Sequence, residues 1–274
     1  MLKKAFDWIA RMSPGLKRRI VKLWYELLVV IDRDRDITYM NYGYSSLDAN
    51  GTEMVLDERE QINRYSIQLY RHIAGAIDLT EKKVVEIGSG RGGGASYIAR
   101  HLKPRSMVGI DICKKAVEFC NNFYSIDGLS FAQGDAESLP LADGSVDVVV
   151  NLESSHCYGS MARFLSEVHR VLSPDGYFLF SDHRDHDKIN LLREQLGNSG
   201  LNLITQNDIT LNVVRALELD NDRKRNLIAN KCPRILKGEA EEFAAIKGTR
   251  TYESFKTGYS RYLSFVLQKE RQTA

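Results

Sequence analysis

Several things are scarce in this chain, and each scarcity removes a class of function. Its 274 residues hold four cysteines, Cys113, Cys120, Cys157 and Cys232, with neither the dense even spacing of a secreted disulfide scaffold nor the paired C-x-x-C sets of a zinc site. Reduced thiols in a cytoplasmic protein are the expectation. Neither sign of charge is in excess: 38 Lys and Arg face 36 Asp and Glu, a formal net charge of +2, so no basic stripe points to a nucleic-acid partner. No apolar run approaches the roughly 18 residues of a membrane-spanning helix. The apolar stretch near the N-terminus is broken by charges and lacks a small-residue cleavage site, which argues against secretion. The chain also shows no internal repeat and no low-complexity tract.

What is present suffices for one sizeable core. Within the first 31 residues, Leu2, Phe6, Ile9 and Met12 recur at helical spacing, Ser13 and Pro14 interrupt, and a second helical pattern starts at Leu16. Lys17, Arg18, Arg19 and Lys22 beside Trp24 and Leu27 suit peripheral contact with an anionic membrane surface; a helix capping the core is the competing reading. Residues 58 to 79, EREQINRYSIQLYRHIAGAIDL, again read as helix. Then apolar runs and helical patterns alternate: KVVEIG, ASYIARHL, MVGIDI, KKAVEFCNNFY, LSFAQGD, VDVVVNL, MARFLSEVHRVL and GYFLFSD. Such alternation predicts an α/β protein with a mostly parallel, Rossmann-like sheet covered on both faces. Beyond Asp187, LLREQLGNSG reads as a helix, LNLITQND and YSRYLSFVLQK as strands, and residues 211 to 247 as a charged helical insertion. The two late strands predict an antiparallel addition at the sheet edge, the last strand antiparallel, with the insertion as a lid.

VVEIGSGRGGGAS, residues 84 to 96, is strand, glycine turn and helix start. Gly88, Gly90 and Gly92 let the backbone approach a ligand closely, although Gly88, Gly90 and Gly93 equally satisfy a dinucleotide fingerprint. Glu86, on the strand beneath the turn, suits a cationic ligand better than a pyrophosphate. Asp111, about 20 residues after the loop, suits ribose hydroxyls in either case. In GDAESLP, residues 134 to 140, Asp135 can accept from an adenine amine while the Ala136 amide donates to a ring nitrogen. Together these favour S-adenosylmethionine.

In these motifs the chain resembles the class I S-adenosylmethionine-dependent methyltransferases. GGGASYIARHL, GDAESLP with LADGSVDVVVNLESSHCY, RFLSEVHRVLSPDGYF and the late KGT and SRYLSF bring a closer resemblance to enzymes that methylate a hydroxyl of phthiotriol-type polyketide lipids. The chain is expected to divide into an N-terminal helical cap and cofactor-covering segment over residues 1–57 and a cofactor-binding methyltransferase domain over 58–274, with a helical lid at 211–247; the resemblance covers most of residues 39 to 268, and the first 30 residues depart from it. The resemblance implies cofactor contacts from Glu86, Gly88, Ser89, Gly90, Asp111, Ile112, Asp135 and Ala136. NYGY, residues 41 to 44, is similar to a segment that folds over the cofactor in such enzymes, with Tyr44 closing the sulfonium side and Tyr42 a candidate for cofactor or substrate contact. Gln68 and Tyr70 are weaker candidates of the same kind.

The run NLESSHCY, residues 151 to 158, ends the fourth strand, at the crevice where open α/β sheets bind ligands. The resemblance implies that Asn151 and Glu153 lie near the methionine portion. A neutral hydroxyl attacks well only if a base takes its proton, and His156 has the unperturbed pKa for that task; Glu153 is the candidate to orient the imidazole. Cys157 lacks an activating site and reads as a bystander. SDHRDHD, residues 181 to 187, offers Asp182, His183, Asp185, His186 and Asp187. Magnesium prefers oxygen ligands, so no metal is expected there, and Asp182 or His183 is an alternative or assisting base. The expected activity is O-methylation of a lipophilic small-molecule acceptor, a polyketide or polyketide-derived lipid. Carbon methylation of a quinone- or sterol-like acceptor is the first rival. A non-catalytic nucleoside binder docking a membrane or biosynthetic complex is the second.

Overall fold

A computed structural model describes residue 32 and residues 36–48 and 54–271. The two helices expected in the first 31 residues lie outside the described residues. Among them, no helix is long and apolar enough to cross a membrane.

The sheet has seven strands: β1 (Lys83–Ile87), β2 (Ser106–Asp111), β3 (Leu129–Gln133), β4 (Val146–Leu152), β5 (Leu172–Asp185), β6 (Leu201–Asp208) and β7 (Ser260–Lys269). Their order is β3-β2-β1-β4-β5-β7-β6. The first five run parallel, and β7 pairs antiparallel with both β5 and β6. This is the expected class I methyltransferase sheet. Continuous apolar runs such as VVEI and VVV become central strands because helices bury both of their faces. Alternate residues feed two cores. Val84, Val148 and Val150 join the core under α2 (Arg64–Ala74), α3 (Gly93–His101) and α4 (Lys114–Phe123). Val85, Ile87 and Val149 join that under α5 (Met161–Val171) and α6 (His186–Gly197).

The helix expected from residue 58 is split. A four-residue α1 (Glu58–Gln61), closed by a capping box between Asp57 and Glu60, precedes α2. The charged insertion forms α7 (Thr210–Leu219), α8 (Asn221–Lys231) and α9 (Lys237–Phe243), and a further short helix, α10 (Arg250–Lys256), follows. Tyr252 and Phe255 of α10 are almost fully buried. Seven residues are too few for sequence periodicity to reveal.

Asp32, Ile37 and Thr38 are tied to the glycine turn. Arg91, in that turn and 3% exposed, donates from Nη2 to Asp32 Oδ2 at 2.7 Å and from Nε to the Ile37 carbonyl at 3.1 Å. Its guanidinium lies 3.6 Å from the centre of the Phe119 ring. The Gly93 amide donates to the Thr38 carbonyl. Losing one partner of a buried ion pair leaves the other charge stranded. Arg91→Ala is therefore expected to lower the unfolding free energy by about 3 kcal/mol, measured by urea denaturation; a change within error would show that the pair does not hold this segment.

Candidate active site

The strand order reverses between β1 and β4, and a cavity opens there at the carboxyl ends of the strands. Its walls are the glycine turn with Gly88, Ser89 and Gly90, the end of β2 with Asp111 and Ile112, the turn with Asp135 and Ala136, and Leu152 to Ser154 after β4. Thr38 to Asn41 form the facing wall. Gly88 and Gly90 have φ of +77° and +52°. A Cβ on Gly88 would lie 2.5 Å from Ser154 Oγ and one on Gly90 2.6 Å from Met40 Cε, so side chains there would fill the cradle.

The carboxylates have separate jobs. Asp111 accepts from the Gly90 amide through Oδ2 and from the Cys113 amide through Oδ1, both at 2.8 Å, so the acid at the end of β2 also shapes the glycine turn. Asp135 accepts from the Glu137 amide at 2.9 Å, which fixes the turn that presents Ala136. Glu86 is fully buried behind the turn and accepts from Tyr70 Oη at 2.6 Å; its Oε2 has no hydrogen-bond partner among the described residues. Burial pushes Glu86 up to about 8, against the opposing hydrogen bond from Tyr70. Ser89 Oγ, in the cavity wall, is likewise buried and unpartnered. Buried oxygens with spare lone pairs around a glycine cradle fit the cationic methionine portion and the hydroxyl-rich nucleoside of S-adenosylmethionine.

Three of the expected contacts do not border the cavity: Glu86, which lies behind the glycine turn, Tyr44 and Asn151. Tyr44 does not border the cavity: its ring stacks on His72 at 4.7 Å and its amide donates to Tyr65. The covering role of that segment falls to Thr38, Tyr39, Met40 and Asn41 instead. Asn151 is fully buried beneath the wall, donating at 2.8 Å to the Ile87 carbonyl, Ser154 Oγ and Tyr158 Oη. It supports two cavity residues rather than forming the wall. Tyr70 borders the cavity, whereas Gln68 does not.

The other chemical group forms where β4 and β5 end. Their register sets Leu152 opposite Ser181, so the next residues, Glu153 and Asp182, also fall side by side. Asp182 is fully buried and accepts from His156 Nδ1 at 2.8 Å, the His156 amide at 2.9 Å, Ser155 Oγ at 2.6 Å and the His183 amide at 2.8 Å. Arg184 Nη1 lies 3.1 Å away. Despite burial, these neighbours hold Asp182 well below the usual carboxylate range. Burial opposes the His156 imidazolium, but Cys157 and Asp182 outweigh it and raise that histidine well above its ordinary value.

The expectation that Glu153 orients the imidazole is therefore corrected to Asp182. Glu153, at φ +51°, uses Oε2 to accept from the Tyr42 amide at 3.0 Å and Tyr262 Oη at 2.8 Å, binding the N-terminal segment to β4 and β7. Burial raises it to about 7. His156 is flanked by His183 at 4.5 Å between ring centres, and His183 in turn by Tyr42 and Phe255. His156, Asp182 and His183 offer ligand atoms within 4.8 Å of one another. The donors gathered on Asp182 make this a hydrogen-bonded carboxylate more than an open ligand set. Glu153, Ser154, Cys157 and Tyr158, around His156, all border the cavity.

Comparison with known proteins agrees with this geometry. Residues 85–180 match a family described as a methyltransferase domain. The chain is 35% identical to a fatty-acid O-methyltransferase of Mycolicibacterium smegmatis, over 98% of this chain and 97% of that protein. It is 34% identical to the phthiotriol/phenolphthiotriol dimycocerosates methyltransferase of Mycobacterium tuberculosis, over 94% and 95%. In fold it matches geranyl diphosphate C-methyltransferase from Streptomyces coelicolor A3(2), solved with Mg2+, geranyl diphosphate and S-adenosyl-L-homocysteine, with a TM-score of 0.65, 14% identity and coverage of 92% and 98%. With full-length likeness to curated methyltransferases and a cavity suited to the methyl donor, the chain belongs to the S-adenosylmethionine-dependent methyltransferases.

Proposed function

We propose that the protein transfers the methyl group to a hydroxyl oxygen of a lipophilic acceptor, with His156 as the general base and Asp182 as the residue that positions it. The observation that carries this reading is the His156–Asp182 pair, set at the strand ends among residues that wall the cofactor cavity. The names of the relatives, a fatty-acid O-methyltransferase and a lipid methyltransferase, support the acceptor class.

S-adenosylmethionine supplies an electrophilic methyl group on a sulfonium, whose departure needs no proton. The protein's task is to position the acceptor and accept its proton. With Nδ1–H held by Asp182, the basic lone pair of the imidazole is on Nε2. Ser155, two backbone amides and Arg184 keep Asp182 ionised, so the proton taken from the acceptor stays on His156 and the imidazolium is stabilised. A positive charge bound nearby works against the imidazolium, so the bound sulfonium favours the neutral imidazole that can take the acceptor's proton. Glu86, Gly88, Ser89, Gly90, Asp111, Ile112, Asp135 and Ala136 hold the cofactor in this reading.

Because the raised histidine must be neutral to act, turnover should climb with pH through a limb above the usual imidazole value of about 6.5. His156→Ala should lose about 10²-fold or more in turnover and keep its affinity for S-adenosylhomocysteine. Asp182→Asn should lose turnover and also move the limb to lower pH, since the charge that favours the imidazolium is gone. Unchanged turnover in His156→Ala, or an unmoved limb in Asp182→Asn, would refute the assignment.

Glu86 gives a second pH dependence of opposite origin. A cationic ligand favours its ionised form, so S-adenosylmethionine affinity measured by calorimetry should weaken as pH falls below about 8. Glu86→Gln should bind weakly with a flat pH profile; a sloping profile in that variant would assign the titration to another group.

A further inference from the structure

A second cavity lies on the other side of the N-terminal segment, roofed by α8 and α9. At about 140 Å³ it is at least as large as the cofactor cavity, at about 110 Å³. Tyr39, Met40 and Asn41 line both, so one extended stretch of chain separates them. Its walls include Ile37, Leu227, Ile228, Leu236 and Phe243. At its rim Phe243 is 38% exposed, and Ile235, next to Leu236, is 85% exposed. Apolar residues stand in solvent where a chain would enter.

One group in this cavity is out of character with the rest. Lys224 is only 11% exposed, yet among the described residues its ammonium has a weak hydrogen bond to the Tyr42 carbonyl at 3.4 Å and a distant carboxylate, Asp220, at 4.0 Å. Asp220 is already engaged by Arg223, through Nε at 2.6 Å and Nη2 at 2.5 Å. Lys231, the other lining lysine, meets Asp36 and Asp32, and Asp32 is shared with Arg91. Of the three lining cations, Arg223, Lys224 and Lys231, Lys224 has the longest ion pair among the described residues. Burial, with Arg223 beside it, outweighs the pull of Asp220 and Glu153 and lowers Lys224 to about 8, so it still carries its charge at neutral pH.

A buried cation of this kind favours a ligand anion that can supply a charge-assisted hydrogen bond. The apolar walls and rim match an alkyl chain. Lys224 bonds the carbonyl of Tyr42, whose amide is held by Glu153 and whose ring lies 5.6 Å from that of His183. A head group at Lys224 thus sits at the partition beside the cofactor cavity and the histidines.

We infer that this second cavity binds the acceptor, and that the acceptor is an amphiphile with an alkyl chain and a carboxylate that Lys224 recognises. The inference rests on the reading of the acceptor as lipophilic, and it adds an acidic recognition group apart from the hydroxyl that His156 serves.

Calorimetric titration of the full-length protein with dodecanoate and with dodecanol at pH 7 tests it without reading methyl transfer. The wild type should bind dodecanoate at least ten-fold more tightly than dodecanol. Lys224→Met should lose that preference while binding dodecanol as before, which also reports that the variant is folded. Leu227→Trp, which fills the cavity, should weaken both ligands, with S-adenosylhomocysteine binding unchanged. Equal affinities in the wild type, a preference that survives Lys224→Met, or wild-type binding by Leu227→Trp would each overturn the inference. Inactivity on every hydroxylated acceptor, with the Lys224-dependent preference intact, would refute the proposed reaction and leave this site standing.

Discussion

A carboxylate buried at the end of a central strand cannot stay ionised unless donors surround it, and much of this site is the consequence of satisfying Asp182. The loop after β4 turns back so that Ser155 and the His156 amide reach it, and that same turn brings the His156 ring onto its other oxygen. Arg184, from the same strand, adds the compensating charge and also donates to Ser155. One buried charge therefore sets the path of the loop, the tautomer of the imidazole and its raised basicity. The sheet supplies the rest, since the β4–β5 register sets the end of β4 beside Ser181, the residue before Asp182.

The second organising element is the extended segment before α1. It is a wall with a different ligand chemistry on each side: glycine turn, Asp111 and Asp135 on one, apolar side chains and Lys224 on the other. Its position depends on polar ties at both ends, Asp32 to Arg91 and the Tyr42 amide to Glu153. Glu153, which looked like a partner for the base, is a fastener for this wall. Its neighbour Tyr262, from β7, links the antiparallel addition of the sheet to the same point. The late strand is thus part of the site as well as of the sheet edge.

The sheet was legible in the sequence because central parallel strands, buried on both faces, must be continuously apolar. The glycine turn, Asp111 and the Asp135–Ala136 turn were legible because their backbone demands leave few residue choices. Asn151 was misjudged because a polar residue ending an apolar strand looks the same whether it faces a ligand or props the adjacent loop. Tyr44 was placed three residues too far along the right segment, because local sequence does not say where the chain leaves the cavity wall. The pairing of His156 with Asp182 over Glu153 depends on a register between residues 26 apart, which no local pattern encodes. Arg91 was hidden among glycines. Lys224 was hidden in a charged helix, where one under-compensated lysine reads like any solvated charge.

The central claim is that the methyl group is delivered to oxygen with the His156–Asp182 pair receiving the proton. The most direct measurement is nuclear magnetic resonance of the product formed from S-adenosylmethionine carrying an isotopically labelled methyl group and a hydroxylated long-chain acceptor. The expected result is a label in a methoxyl group, formed by the wild type and strongly reduced in His156→Ala. A labelled methyl attached to carbon, or a methoxyl formed equally well without the imidazole, would contradict it.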